Sequence, residues 1–487
     1  MGLASTLERR FKCEFLGRGV YIVASALLTV VLARLLGPDG YGLMFLAISV
    51  LGITKIFARL GIGKSTAKYL ATYKERDPTQ LPHILQFGFL LNLVVLGMTC
   101  LALLFAYEHV AAIVGEQDLA PFLLVGILYV AFSTLDYFAR RTLQGFEAIE
   151  ITAITRAVRG VLKLVLSVGF VLMGFDAFGA FIGYLLAYGI AAALGLTYLY
   201  LRYYRDAERG PRKNGLRRRV GEYSIPITAT STAGTIDRYF DTVLVGFFIG
   251  PTAVAFYTVG KQVIGFIEMP ASSLGFTIAP TYEAQKEQGH PETTAQIFEE
   301  SVAHTLLLYI PAAAGLILLA EPMIELVFGP QYLGAVPVLQ VLTIYAVFYS
   351  VDKLVGSGLD FLGRARERAI ARTGSAGLNV LLNLALIPTI GVVGAAIATV
   401  ITYGLYTLAN IYTLSTEIEL RYRHLFGRLS ATVAVTGVMS AAVYLFVDRI
   451  AGFPTLFAVI GLGVVVWGCL VTAFGLLDVR RVISVVT

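Results

Sequence analysis

The sequence predicts an all-α polytopic membrane protein of about fourteen transmembrane helices. They form two parallel six-helix repeats, an N-lobe and a C-lobe, followed by two extra C-terminal helices. Three observations predict this. Of the 487 residues, 57% are apolar or aromatic and only 14% are charged, against roughly a quarter charged in a soluble domain. Apolar runs of roughly 18–25 residues, the length that crosses about 30 Å of hydrocarbon as helix, recur from end to end. The first half of the chain also resembles the second at an offset near 213 residues.

Taken in order, the apolar cores lie near 16–36, 41–60, 84–106, 120–139, 157–174, 178–201, 223–248, 253–276, 301–320, 335–353, 371–388, 392–413, 428–447 and 453–477. The first is too long for a signal-peptide core and lacks a small-residue cleavage site, so it is expected to stay as an anchor. No alternating pattern supports a β-barrel, so backbone groups in lipid must be satisfied within helices. Pro226, Pro270 and Pro311 fall in or beside spans seven, eight and nine, where they favour kinks. No polar linker separates soluble domains, and no N-x-S/T sequon occurs.

The net charge is +6, yet the basic residues are dispersed between spans, which argues against nucleic acid as a partner. Alternate connections are rich in Lys and Arg: around Arg9 to Arg18, Lys64 to Arg76, Arg140 to Arg159, Arg202 to Arg219, Arg364 to Arg372, Arg421 to Arg428, and Arg480 with Arg481. The opposite connections, near Pro38, Glu116, Asp176, Pro251, Glu321 and Thr389, have almost none, Arg449 being the main exception. The positive-inside rule therefore places both termini in the cytoplasm of a multi-pass protein of the cytoplasmic membrane.

The repeat is read from five pairings in order. Residues 29–45 match 242–258 at an offset of 213, with Tyr69 and Ala71 matching Tyr282 and Ala284. Further on, Gly115 matches Gly329, Tyr129 and Asp136 match Tyr345 and Asp352, and Gly179 with Ala180 matches Gly394 with Ala395. Residues 1–210 then form the N-lobe (helices one to six), 211–420 the C-lobe (seven to twelve), and 421–487 an appendage. Six crossings per repeat is even, so the repeats run parallel, and a substrate path is expected between them.

Several motifs carry no chemistry. Ala58 to Ser65 mimics a phosphate-binding loop, but a membrane span precedes it where that loop needs a strand, and it reads as a turn at the headgroups. His83, His109, His290, His304 and His424 are scattered. Cys13, Cys100 and Cys469 give neither a disulfide framework nor metal spacing. No catalytic or metal site and no cofactor is expected.

The run from Ala33 to Gly42 (ARLLGPDGYG) resembles the start of the oligosaccharide flippases. These are the Wzx-type polysaccharide transporter family of the multidrug/oligosaccharidyl-lipid/polysaccharide (MOP) superfamily. Leu60 to Gly63, Ala320 to Gly329 and Asn379 to Gly394 resemble the same family, so the resemblance covers the chain. It implies two lobes working by alternating access. The implied cargo is a polyprenyl-(pyro)phosphate-linked oligosaccharide, moved from the cytoplasmic to the outer leaflet for surface polysaccharide or glycoconjugate assembly. Membrane lipids and the glycosyltransferases or polymerase of the same pathway are the partners it implies.

Such a substrate demands cations in an apolar protein, where each ionisable residue within a span costs about 2.5–3.5 kcal/mol on insertion scales. The candidates for phosphate contact are Arg34, Lys55, Arg59, Lys163, Arg238 and Lys261, with snorkelling to headgroups as the alternative for Arg34, Arg59 and Lys163. Asp237, Asp241 and Glu268 are the candidates for binding a coupling proton or Na⁺. Asp237 and Asp241 share a helix face, and Arg238 is placed to pair with Asp241. Asp136 and Asp352 read as anchors of a cytoplasmic gate or caps of basic loops, and Tyr239 as a surface for sugar stacking. Two other functions stay open. One is a cation-coupled multidrug exporter of the same superfamily. The other, more remote, is a membrane glycan polymerase or ligase, for which the short outer connections offer little catalytic surface.

Overall fold

The computed structural model describes residues 3–287, 291–418 and 421–476, with the side chains of all of these except 3–11, 229–231, 233, 237, 273–287, 291–294, 361, 422 and 424. His290, Arg480 and Arg481, and the side chains of Arg9, Arg10, Asp237 and His424, lie outside the described residues.

The described chain is helical throughout. The helices are α1 (Leu3–Arg59), α2 (Ile62–Arg76), α3 (Leu81–Val114), α4 (Leu119–Gly145), α5 (Ile149–Phe170), α6 (Asp176–Leu199) and α7 (Leu216–Phe248). They continue as α8 (Pro251–Glu287), α9 (Pro291–Phe328), α10 (Val336–Phe361), α11 (Ala365–Ile390), α12 (Val392–Ser415), α13 (Tyr422–Val447) and α14 (Phe453–Ala473). Among the described residues, 10 helical stretches are long and apolar enough to cross a membrane. Two of them, Lys12–Arg59 and Ile149–Tyr204, are 48 and 56 residues long, about 70–85 Å if straight, more than twice the hydrocarbon thickness.

Both long stretches are broken by glycine. Gly37 has φ 64° and ψ 177° and splits α1 into arms 3–36 and 38–59; only glycine adopts this conformation without strain. Pro38 follows as the first residue of the second arm, where its fixed φ suits a helix start and its missing N–H costs nothing. Gly174, at φ 90°, makes the corresponding break between α5 and α6. Large apolar side chains such as Phe105, Leu381, Phe457 and Val465 are exposed, the inverse of a soluble surface and the arrangement that lipid requires.

Contacts divide the chain into two units, residues 1–255 and 256–487. In the first, α1 packs on α5, α7, α4 and α3, while α6 packs on α4 and α5. The Ser167 hydroxyl donates to the Ala180 carbonyl across the α5–α6 seam at 2.9 Å. α7 belongs to this unit because it packs on α1, α2 and α3, so the division by contacts falls after α7.

The connection between α6 and α7 is docked on the corner between α2 and α3. The buried Gln80 donates to the Pro211 carbonyl at 2.9 Å and accepts from the Lys213 N–H at 3.1 Å. His83 Nε2 lies 2.9 Å from the Gly210 carbonyl, and Lys213 pairs with Asp77 at 2.8 Å.

In the second unit α10 packs on α12 and α9, α11 on α12, and α13 on α9 and α14. The buried Glu299 of α9 accepts from the Arg421 backbone N–H at 2.5 Å and from its Nε at 3.0 Å, pinning the start of α13.

Candidate functional site

Within the first unit, α1, α4, α5 and α6 bring a cluster of cations together inside the apolar bundle. Lys55, Arg159 and Lys163 are 6%, 5% and 7% exposed, and Asp136 is 1% exposed. The Asp136 carboxylate accepts from Arg159 at 2.5 Å and from Arg140 at 3.0 Å through the same oxygen. That arrangement holds two guanidiniums with one acid.

The remaining cations are held by tyrosine rings and neutral oxygens. Lys55 Nζ donates to the Tyr129 hydroxyl at 3.1 Å and lies 4.5 Å and 5.9 Å from the ring centroids of Tyr129 and Tyr239. Arg59 reaches the Ser133 carbonyl at 3.4 Å and stacks 4.4 Å from the Tyr137 ring. Lys163 sits 4.6 Å from Tyr184 and 5.6 Å from Tyr21, and Arg159 sits 5.3 Å from Tyr188 and 5.5 Å from Tyr21. Ring faces offer partial negative charge without a counter-ion, so the cluster stays net positive. Arg59, Arg238 and Lys163 are close enough to act electrostatically on Lys55. Arg59 Nε and Arg159 Nε are buried donors with no hydrogen-bond partner among the described residues.

The second unit carries a comparable cluster in which two acids, Glu268 and Asp352, stand with two cations, Lys353 and Arg372. Glu268 accepts from Tyr345. The Ser272 hydroxyl meets Tyr349 at 3.1 Å, and the buried Asp352 accepts from Tyr403 at 2.9 Å and from Asn410 at 2.8 Å. Lys353 and Arg372 lie over Tyr349 and Tyr403, at 4.6 Å and 5.3 Å.

Three contacts of the two clusters pair at the sequence offsets of the expected repeat. Lys55 and Glu268 are 213 apart and Tyr129 and Tyr345 are 216 apart, so Lys55 on Tyr129 and Glu268 on Tyr345 are counterpart contacts with the charge inverted. Tyr129 meets Tyr188 edge-on at 5.4 Å, and Tyr345 meets Tyr403, the counterpart of Tyr188 at offset 215, edge-on at 4.7 Å. Arg59 on Ser133 and Ser272 on Tyr349 are a third such pair.

Of the six proposed cations, the fold unites Lys55, Arg59 and Lys163, with the exposed Arg238 near enough to act on Lys55. Arg34 is exposed at the far end of the first arm of α1, three residues before the break. Lys261 belongs to the second unit, 5.1 Å from the Tyr257 ring. Asp241 is buried, and the Asp237 side chain lies outside the described residues. Sequence reasoning missed Arg159, which read as part of a cytoplasmic basic tract, and with it the role of Asp136 and of Tyr21, Tyr184 and Tyr188. One signal was present: Arg159 and Lys163 are four apart and share a helix face.

A family model described as "Polysaccharide biosynthesis protein" matches residues 15–283, more than half of the chain. The chain belongs to this family. Its place in the MOP superfamily is reinforced by a second model, described as "MatE", over residues 226–385. Among curated relatives of this polysaccharide biosynthesis family member is a probable low-salt glycan biosynthesis flippase of Haloferax volcanii. It is 23% identical over 426 residues, covering 87% of this chain and 86% of that protein. Its fold matches a solved structure of the lipid II flippase MurJ in an inward closed conformation, with a TM-score of 0.77, 14% identity and coverage of 95% and 98%. It also matches an inward-facing multidrug resistance MATE family transporter of the MOP superfamily, with a TM-score of 0.67, 15% identity and coverage of 85% and 96%. The protein is therefore a multi-pass membrane transporter related to flippases and MATE exporters.

Proposed function

We propose that this transporter flips a polyprenyl-(pyro)phosphate-linked oligosaccharide across the cytoplasmic membrane by alternating access. In this reading it has fourteen crossings. The two arms of α1 count separately, α5 and α6 are one crossing each, and α7 and α8 join the more apolar helices. Both termini are cytoplasmic, helices one to six and seven to twelve form the two lobes, and thirteen and fourteen are the appendage.

The observation that carries the reading is the cluster of the buried Lys55, Arg159 and Lys163 and the half-buried Arg59 and Arg140, in which the carboxylate of Asp136 pairs with Arg140 and Arg159. A dry site with surplus positive charge favours a polyanionic group, since a guanidinium offers a forked pair of donors and an ammonium a point charge. It opposes the lipophilic cations of a drug exporter. The tyrosine rings around the cations suit the flat faces of the adjoining sugars. Arg238 lies at the rim of this site, while Arg34 and Lys261 are assigned to other stages of the path. Glu268 and, on α7, Asp241 and Asp237 are the proposed proton or Na⁺ ligands; Glu268 has the strongest support, because it stands where Lys55 stands in the other repeat. The glycosyltransferases or polymerase of the same pathway supply and consume the cargo.

Proteoliposomes test this reading. The reconstituted protein should move a lipid-linked oligosaccharide between leaflets, scored by a membrane-impermeant lectin or hydrolase, and should not transport a fluorescent lipophilic cation. Transport of the cation alone would replace the flippase reading with the exporter.

A further inference from the structure

We propose that Tyr309 of α9 is a hinge clasp for α8, a positioning residue whose hydroxyl stands in the helical hydrogen-bond ladder of α8 beside Pro270 and holds that helix in one of two arrangements. The Ala271 N–H donates to Tyr309 Oη at 3.0 Å, and Tyr309 Oη donates to the Ile267 carbonyl at 2.7 Å. Residues 267 and 271 are the i and i+4 partners that a regular helix bonds to one another. Pro270 adds its own defect, because it has no N–H for the Phe266 carbonyl.

The next carbonyl in the row is also served by a side chain. Ser272 Oγ donates to the Glu268 carbonyl at 3.2 Å and meets Tyr349 Oη at 3.1 Å. Hydroxyls therefore engage two successive carbonyls of α8, at the turn that carries Glu268.

A phenol suits this post because it both donates and accepts. A side chain inserted into the i→i−4 row is a recognised cause of helix kinks. In the proposed clasped arrangement the Tyr309 hydroxyl takes the Ala271 N–H and the Ile267 carbonyl from one another and opens α8 on the α9 side. With the hydroxyl withdrawn, the Ala271 N–H and the Ile267 carbonyl close on one another and the helix straightens. Two discrete ladders make a bistable element of the kind a transporter needs. The repeat counterpart of Pro270 at offset 213 is Phe57, so the first repeat has no such joint at that position and the hinge is peculiar to α8.

The test uses the full-length protein in proteoliposomes, with Cys13, Cys100 and Cys469 replaced by Ser and spin labels at positions 262 and 283 of α8. A straight helix puts these positions about 32 Å apart. The clasp predicts a component of the distance distribution several ångströms shorter, which Tyr309→Phe shifts towards the straight value while lowering flipping at least tenfold. Pro270→Ala, which restores the missing N–H without touching α9, should shift it the same way and serves if Tyr309→Phe does not fold. A single straight distance in the unsubstituted protein, or variants that leave the distribution unchanged, would overturn the clasp. The flipping readout rests on the flippase reading and the distance readout does not. Unsubstituted protein that flips no lipid-linked oligosaccharide would thus count against the function while leaving the distances to judge the hinge.

Discussion

Asp39 accepts a hydrogen bond from the Thr252 hydroxyl, and the two residues are 213 apart, so under the proposed repeat each touches its own counterpart. One helical turn further on, a Cβ built on Gly42 would lie 1.8 Å from the Pro251 carbonyl oxygen and 3.2 Å from the backbone nitrogen of Ala255, which is the counterpart of Gly42. If the two proposed repeats are related by a two-fold rotation, a residue reaches its own image only near the axis. The proposed topology puts these turns on the outer side. Asp39→Cys with Thr252→Cys, in a background lacking the native cysteines, should cross-link under mild oxidation and reduce flipping at least tenfold until dithiothreitol is added. Full transport by the cross-linked protein would show that these turns need not part.

Tyr129 supplies both a ring and an oxygen to Lys55. Tyr129→Phe keeps the ring and removes the acceptor, a loss of about 0.5–1.5 kcal/mol for one hydrogen bond. The apparent affinity for lipid-linked substrate should fall by about threefold to tenfold. Tyr129→Leu removes the ring as well and should cost more. Equal affinities in the two variants, measured from the substrate dependence of flipping, would deny the ring any part in holding Lys55.

Asp136 is the buried anion for Arg159 and Arg140. Asp136→Asn leaves buried positive charge uncompensated, a change that costs about 3–5 kcal/mol when one partner of a buried pair is removed. Thermal unfolding in detergent should move to clearly lower temperature, and adding Arg159→Gln should recover part of the loss. An unchanged unfolding temperature in Asp136→Asn would mean that solvent, and not the carboxylate, compensates the two guanidiniums.

The docked α6–α7 connection has a defined pH window. The hydrogen bond from Lys213, followed by that from Thr79, holds the half-buried Asp77 carboxyl below its ordinary value of about 3.8. A depressed carboxyl contributes stability that is fully present above its unfolded pKa and lost as pH falls through the folded one. Hydrogen exchange of residues 205–215, corrected for its intrinsic pH dependence, should therefore stay constant from pH 5 to 8 and quicken below about pH 4. Asp77→Asn should show the quicker exchange at every pH. A rise in exchange between pH 5 and 8 would show that the Asp77 carboxyl does not govern this corner.

The legible and illegible parts of the molecule divide along physical lines. Gly37 and Pro38 announced the break in α1 because a left-handed glycine followed by a helix-starting proline is a local signal. Lys55, Arg59 and Lys163 stood out because a charge inside a span is expensive wherever the helix goes. Arg159 did not, since an Arg at the end of a basic connection reads as part of that tract until α4 is seen to bring Asp136 against it. The tyrosine cage was illegible for the same reason: Tyr21, Tyr184 and Tyr188 are unremarkable among 26 tyrosines, and Tyr129 stands out only as a match to Tyr345, until α1, α4, α5 and α6 converge. Tyr309 acts on the backbone of another helix, and no periodicity in α9 marks that contact.

The most direct test of the central claim is the affinity of purified protein for a polyprenyl-pyrophosphate oligosaccharide, measured alongside the same lipid lacking its phosphates. If Lys55 and Lys163 hold the pyrophosphate, Lys55→Gln combined with Lys163→Gln should weaken binding of the phosphorylated lipid by about a hundredfold, in line with two lost charge-assisted hydrogen bonds. Binding of the dephosphorylated lipid should be unaltered. Equal affinity of the double variant and the unsubstituted protein for the phosphorylated lipid would contradict the account.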